Sequence, residues 1–575
     1  MAVHNNEIRD TFDQIADLLE IKGENPFRVR AYREAARVIH GMSEQVDKMV
    51  TAGRDLTEFR GIGKDLAAKI GEIVETGKLG FLEQLKMEIP PSLCELLQIP
   101  ELGPRKIAVV HEALGVKTLE DLKQAAVAGK ISELKGFGKK SEQKILESIE
   151  RTLSGTGRRM LWFDVEPFAA ALENHLRAHP AAEKVIVAGS YRRGKETIGD
   201  LDILATCRPG GEDAVMEAFV RFEDVRDVIV RGKTKTSVRL RSGLQVDLRI
   251  VPGESYGAAL HYFTGSKAHN IAIRKLGIEK KFKISEYGVF SGEERIAGET
   301  EEAVFAAVGL AFIAPELREN MGEIEAARSG GLPELVTVTD IRGDLHAHTT
   351  RTDGRNTIRE MAEAARNRGY EYLAITEHSQ KVAMARGLNE KDLREYMETI
   401  DAANAEIDGI TVLKGIECDI LVDGALDLPD SVLRDLDLVI CSVHYNQRLS
   451  REEQMTRILR AMDNPCLKIL GHPTGRLINS REPMDIDLEK IIEAAAERGV
   501  VLELNAQPDR LDLPHNYCKM AAERGVKIAL STDAHSTESF KRLTLGITEA
   551  RRGWLKKEDI INTRPLKEML AMLRR

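Results

Sequence analysis

The most restrictive stretch of the 575-residue chain is Gly189-Ser190-Tyr191-Arg192-Arg193-Gly194, followed closely by Gly199-Asp200-Leu201-Asp202. The apolar run Val185-Ile186-Val187-Ala188 leads into it and reads as a buried strand. The glycines let the chain turn tightly and bring backbone N–H groups close to a bulky ligand. Ser190 and Arg193 then sit where a turn opens a helix, which favours a phosphate. Asp200 and Asp202 are two apart on the next strand, so both carboxylates share one face while Leu201 and Ile203 take the other. Two like charges held that close call for a cation. Residues 237–250 alternate apolar and polar around a Ser242-Gly243 turn, predicting a hairpin with Asp247 on the polar face. Three aspartates on adjacent strands suit two Mg²⁺ ions about 3.5–4 Å apart, the arrangement used for in-line phosphoryl or nucleotidyl transfer. Farther along, Tyr262-Phe263-Thr264-Gly265-Ser266 precedes a helix that puts Asn270 and Arg274 on one face, where an aromatic pair beside a small turn suits a sugar and base.

A chain of this length is too long for a single core, and three to five domains or subdomains are expected. With Asp and Glu from Glu7 onward and no run approaching 18 uncharged apolar residues, neither a signal peptide nor a membrane span is expected. The six cysteines are scattered without a C-x-x-C, which suits free thiols in a reducing cytoplasm. Net charge is −9, and residues 1–160 carry 25 Lys/Arg against 25 Asp/Glu, so any nucleic-acid binding must come from local geometry.

Such geometry is repeated in the first 150 residues. Residues 4–88 read as helices, with one stripe at Phe12, Ile15, Ala16, Leu18 and Leu19 and another at Ala31, Ala35, Val38 and Ile39. Between helices stands Arg60-Gly61-Ile62-Gly63-Lys64, then Glu101-Leu102-Gly103-Pro104, then Gly136-Phe137-Gly138. Each makes a tight hairpin whose second helix presents free backbone N–H groups that can grip a phosphate without reading bases. Gly61, Gly63, Gly103, Gly136 and Gly138 are therefore candidate DNA contacts.

From residue 337 short apolar strands alternate with amphipathic helices, and nearly every strand ends in a metal-ligand type: His346 and His348 with Asp353 beyond, Glu377-His378, Glu417, His444, His472, then Asp533 and His535. Six of the fourteen histidines fall there. Ligands gathered at the C-terminal ends of parallel strands are what a βα barrel supplies. Imidazole with carboxylate suits Zn²⁺, Mn²⁺ or Fe, and so many ligands imply more than one ion.

The order G-S-Y-R-R-G, G-D-L-D, V-D-L-R and Y-F-T-G-S, with helix-hairpin-helix elements upstream, resembles the DNA polymerase X family, whose best-known member is polymerase beta. The resemblance covers roughly residues 5–320. It implies an 8-kDa-like domain over 1–90, a fingers-like domain over 91–160, a palm over 161–260 and a thumb over 261–319. It implies that Asp200, Asp202 and Asp247 are catalytic and bind two Mg²⁺, and that Ser190, Arg193 and Gly199 contact the incoming triphosphate. Tyr262, Phe263 and Gly265 would border its sugar, with Asn270 and Arg274 near the base pair. Lys69 matches the position where some members place a Schiff-base lysine, although Asp65 and Phe81 stand where polymerase beta has basic residues.

After a linker over 320–336, residues 337–575 are similar to the PHP (polymerase and histidinol phosphatase) domain, a distorted (βα)7 barrel of phosphoesterases. This resemblance implies one metal at His346, His348, Glu417 and Asp533, a second at Glu417, His444 and His472, and a third at Asp353, His378 and His535. Up to three Zn²⁺ or Mn²⁺ would sit there. Glu377 stands where Asp is commoner, and His515 is left as a structural residue.

The expected fold is thus multidomain α/β: helical helix-hairpin-helix domains, a nucleotidyltransferase palm and thumb, then the PHP barrel. The expected protein is a cytoplasmic monomer that fills short gaps in primed DNA from dNTPs, trims 3′ ends as a 3′–5′ exonuclease, and carries an abasic-site endonuclease as a further activity. The alternative is a small-molecule nucleotidyltransferase fused to a histidinol-phosphatase-like phosphoesterase, and against it stand the hairpin elements, which a small substrate does not need. A DNA-end-binding scaffold with inactive sites is disfavoured by both complete ligand sets.

Overall fold

The computed structural model describes residues 3, 5–40, 42, 46–59, 61–99, 102–153 and 159–574. Arg60 and Glu101 of the hairpin motifs lie outside them. The chain forms two compact units, residues 1–159 and 160–575.

The first unit is helical. Helix Asn5–Ile21 buries Phe12, Ile15, Ala16, Leu18 and Leu19 as its periodicity requires. Helix Pro26–His40 differs from expectation by one position: Ala31 is exposed, and Tyr32 packs in the core against the Phe12 ring at 5.3 Å. The tyrosine ring removes far more apolar area from water than a methyl group, and so sets the face. Helices Lys64–Thr76 and Pro104–Leu114 start directly after Gly63 and Gly103, without side-chain caps. Helix Lys139–Leu153 follows Gly138.

The second unit begins with helix Trp162–Arg177 packed on a five-stranded sheet. Its strands run in the order Ala182–Val187, Asp200–Cys207, Gln245–Ile250, Lys235–Leu240, Val225–Arg231. The hairpin expected over 237–250 is present, antiparallel from Lys235↔Arg249 to Arg239↔Gln245. Its second strand lies parallel to Asp200–Cys207, a pairing that hydropathy alone does not specify. Helix Tyr256–Thr264 runs across the expected palm–thumb boundary at 260/261 and leads to helix Lys267–Glu279 and a three-stranded sheet. Segment 320–336, expected as a linker, carries helix Glu323–Ser329. That helix buries Ile324 and Ala327 against the thumb core, and its Glu323 carboxylate accepts the Asn320 and Met321 backbone N–H groups, so the segment is packed in place.

Seven parallel strands follow in chain order, from Gly343–Asp344 to Ile528–Ser531. The first and last meet: the His348 N–H donates to the Ala534 carbonyl at 2.8 Å and the Ala534 N–H to that of His346 at 3.1 Å, closing the barrel. Inside lie Tyr372, Ala374, Leu413, Leu438, Ile440 and Val501, with Met569 of helix Leu566–Met572 packed among them. Outward residues such as Leu373, Ile375, Ile416 and Val439 pack under the helices. Among the described residues no helix is long and apolar enough to cross a membrane.

Candidate active sites

In the palm, Asp202 is the direct register partner of Asp247 on the neighbouring parallel strand. Asp200 precedes Asp202 on the same face and is exposed; Asp202 is half-buried and Asp247 is buried. Burial, reinforced by the charges of Asp200 and Asp247, pushes the Asp202 carboxyl up to about 6. Hydrogen-bond donors already gather there: the Lys235 ammonium lies 2.5 Å from Asp247 Oδ2, and the Gln245 amide donates to Oδ1 at 3.1 Å. A carboxylate set whose mutual repulsion is felt, and which draws in a lysine, fits divalent ions. The three aspartates are nevertheless not among the described groups whose ligand atoms all lie within 4.8 Å of one another. Asp247 pairs with Lys235 instead.

The glycine turn packs against this face. Gly189 has φ +63°, and a Cβ there would stand 2.5 Å from Asp202 Oδ2, so only glycine allows the approach. Ser190 lies in the short helix Gly189–Arg192, half-buried, and Gly199 is exposed just before Asp200. The two arginines diverge. Arg192 pairs with Glu301 at 2.6 Å and donates to Thr264 Oγ1 at 2.7 Å, while buried Arg318 takes the other Glu301 oxygen at 2.5 Å. Burial would raise the Glu301 carboxyl, but the two guanidinium groups hold it below the usual range. Arg193 pairs with Glu319 at 3.0 Å and donates to the Thr264 carbonyl. Both arginines thus tie the palm turn to the thumb. Tyr262 and Phe263 meet edge to face at 5.1 Å, and the Arg249 guanidinium lies 4.5 Å from the Phe263 ring centre. Gly265 is buried at the end of that helix. Asn270 donates to the Tyr262 carbonyl at 2.7 Å and Arg274 is exposed.

In the barrel the expected ligands converge. His346 and His348 Nε2 stand 3.5 and 3.7 Å from Glu417 Oε2, and 3.7 and 3.3 Å from Asp533 Oδ1. His444 and His472 Nε2 lie 3.2 and 3.0 Å from Glu417 Oε1. His378 and His535 Nε2 lie 3.4 and 3.3 Å from Asp353 Oδ2. The groupings are less separate than expected: His348 also joins the Asp353 cluster, and His378 Nδ1 reaches Glu417 at 2.9 Å. Burial alone would raise Glu417, yet His444, His346 and His378 hold it well below the usual carboxylate range. Burial alone would lower His378 and His444, yet Glu417 and its neighbours raise them to about 10 and about 9. His348, buried beside His378, is lowered to about 3. Protons thus neutralise the carboxylates, and metal ions would exchange with them. Among the buried atoms with no hydrogen-bond partner are His346 Nε2, His348 Nε2 and Asp533 Oδ1, all in one group, which fits a multi-ion site.

The alternation of strand Tyr372–His378 accounts for Glu377. Tyr372 and Ala374 face the interior and Leu373 and Ile375 the helices, so His378 points in and Glu377 out. Glu377 accepts Tyr396 OH at 2.8 Å and the hydroxyls of Thr349 and Thr352, anchoring the loop that carries Asp353. Glu503 is a functional residue outside the ligand pattern of the sequence. Its Oε1 lies 2.7 Å from His346 Nδ1, and its Oε2 accepts the His472 N–H at 2.7 Å. The available signal was a lone carboxylate within the apolar strand Val501–Asn505. Glu503→Gln is expected to cut 3′ trimming about 10–100-fold and to raise the metal concentration it needs, with extension unchanged, as titration of trimming against Mn²⁺ would show.

Lys69 pairs with Asp65 at 2.5 Å and stands 5.6 Å from the Phe81 ring centre.

Fold and sites together define a nucleotidyltransferase joined to a metal-dependent phosphoesterase. Family models match in the same order: a helix-hairpin-helix domain at 3–79, a SAM-like helix-hairpin-helix tandem at 94–151, the DNA polymerase beta palm at 162–238 and thumb at 259–319, and a PHP domain at 344–507. Asp247, Asp533 and His535 fall outside the matched stretches and enter through the geometry above. The chain is 40% identical over 578 residues to the DNA polymerase/3′-5′ exonuclease PolX of Bacillus subtilis (strain 168), spanning 100% of both, and it belongs to that bacterial family of X-type DNA polymerases with a C-terminal PHP domain. The barrel alone is 30% identical over 231 residues to a probable phosphatase of Thermoanaerobacter sp. (strain X514), covering 38% of this chain and 89% of that protein. A probable phosphatase of Clostridium novyi (strain NT) is 31% identical over 202 residues, covering 33% and 78%.

Proposed function

We propose that the chain is a DNA polymerase that fills short gaps in DNA repair and trims 3′ ends with its barrel as a 3′–5′ exonuclease. The observation that carries the reading is the pairing of Asp202 with Asp247 beneath the glycine–arginine turn, in a chain that also holds the nine-ligand barrel mouth. Asp200, Asp202 and Asp247 would hold two Mg²⁺, which when bound would supply charge neutralisation and a more acidic primer 3′-OH. Ser190, Arg193 and Gly199 bind the triphosphate, and for Arg193 this means exchanging Glu319 for phosphate oxygens. Tyr262, Phe263 and Gly265 border the sugar, and Asn270 and Arg274 lie by the base pair. Asp247 is placed to direct the primer hydroxyl. The hairpins at Gly61, Gly63, Gly103, Gly136 and Gly138 grip DNA phosphates through helix starts, which at Gly63 and Gly103 carry no side-chain cap.

In the barrel His346, His348, Glu417 and Asp533 hold one ion, Glu417, His444 and His472 a second, and Asp353, His378 and His535 a third. Bound there, Zn²⁺ or Mn²⁺ would supply Lewis acidity for phosphodiester hydrolysis. Glu503 and Asp419 orient His346 and His444, at 2.7 and 3.3 Å. The protein works in the cytoplasm as a monomer.

A 5′-labelled primer on a one-nucleotide gap tests this across several divalent ions. Products lengthen by one nucleotide with dNTPs and shorten without them. Unaltered DNA, alongside hydrolysis of histidinol phosphate, would move the chain to the small-molecule class.

A further inference from the structure

Beside the palm lies a fourth cluster of metal-ligand types: Glu196, His515 and Glu549. It is already neutralised by cations. Arg476 pairs with Glu196 at 2.5 Å. Arg552 stands 3.3 Å from Glu549 Oε2 and 3.1 Å from His515 Nε2, and His515 Nδ1 lies 3.0 Å from Glu549 Oε1. Burial would raise the Glu549 carboxyl, but His515, Arg552 and Arg476 hold it far below the usual range. Two guanidinium groups leave no charge for an ion to satisfy, so the cluster reads as a clasp between palm and barrel.

The clasp lies along the arginine turn. Helix Leu543–Arg552 leaves the barrel shortly after Asp533 and His535, and its Thr548 is seated on Gly194. Gly194 has φ +64°, and a Cβ there would overlap Thr548 Cγ2. Arg552 makes a long contact, 3.4 Å, to the Arg193 carbonyl. The adjacent Arg551 pairs with Glu316 of the thumb at 2.7 Å. Lys519 reaches the Met321 carbonyl at 3.3 Å. One barrel helix therefore touches both partners that frame Arg193: the palm turn at Gly194, and the thumb segment that carries Glu319.

We propose that helix Leu543–Arg552 of the nuclease barrel is a working part of the nucleotide-addition site, with Thr548 and Arg551 as positioning residues that hold the Arg193 turn and the thumb segment in register. This rests on the assignment of Arg193 to the triphosphate. Neither residue touches substrate. A shift of the turn moves the guanidinium relative to the phosphates, and misplacement by an ångström is costly in such a site.

Thr548→Phe drives a wedge against Gly194 from a half-buried position on the barrel surface. In the full-length protein it is expected to raise the KM for dNTP on the order of tenfold, with a smaller change in kcat and an unchanged trimming rate. Arg551→Glu is expected to raise the same KM, and Arg551→Glu with Glu316→Arg to restore it, a coupling that general loss of stability would not produce. Should Thr548→Phe misfold, the charge reversal decides alone. An unchanged KM in Thr548→Phe and Arg551→Glu, with the wild type extending normally, would overturn the proposal, as would a double variant no better than its singles. A wild type that adds no nucleotide would instead remove the polymerase reading, and this proposal with it.

Discussion

Asp200→Ala is expected to abolish nucleotide addition, by on the order of 10³-fold or more, while leaving 3′ trimming at the wild-type rate. The loss is large because Asp200 would be one of the three carboxylates that hold the two proposed Mg²⁺ ions, whose charge would support the attacking hydroxyl and the transferring phosphate, and several kcal/mol of transition-state stabilisation would go with it. Folding does not confound the result. Asp200 is exposed, and its charge contributes to raising the Asp202 carboxyl. Removing it relieves repulsion, so the midpoint of thermal unfolding should hold or rise. The trimming ligands belong to other strands and to the barrel, so their chemistry is independent of this change. Single-turnover extension of a gapped primer, run beside trimming without dNTPs, separates the two. Loss of both activities in a folded variant would end the division of labour.

The sequence shows most of what a period of two can carry. It places Asp200 with Asp202, predicts the 237–250 hairpin, and marks a ligand at the end of almost every barrel strand. It does not show what depends on which strands become neighbours. The parallel pairing that sets Asp202 against Asp247 joins residues 45 apart in the chain, and nothing local encodes it. Glu503 is not legible for a related reason: its role exists only because barrel closure brings His346, 157 residues away, within 2.7 Å. The direction of Glu377 was available from the alternation that turns His378 inward. Arg193 shows the opposite limit. Its type and place suggest a phosphate contact, yet its present partners, Glu319 and the Thr264 carbonyl, come from the thumb. His515 had no sequence signal beyond being a histidine outside the ligand pattern, and its contacts with Glu549 and Arg552 arise from helix packing.

His346→Ala with His348→Ala is expected to stop 3′ trimming, by on the order of 10³-fold or more, and to leave extension intact. Both imidazoles are buried and face Glu417 and Asp533, so their removal would delete two of the proposed ligands of one ion and leave those carboxylates less neutralised, with His378 and His444 still beside Glu417 and His535 beside Asp533. Glu503 also loses the ring that holds its Oε1, an added cost of a few kcal/mol at most for a buried carboxylate. The barrel should still close, because the first and last strands meet through the backbone of His346, Ala347, His348 and Ala534. Helix Leu543–Arg552 then remains against Gly194, and the KM for dNTP should stay within about twofold of wild type. The two measurements check each other. Trimming lost with an unchanged KM locates the hydrolytic site at these histidines, whereas a KM raised in step with a lower unfolding midpoint means the barrel has loosened and the polymerase turn with it. Persistent 3′ degradation by the purified double variant would place the nuclease elsewhere.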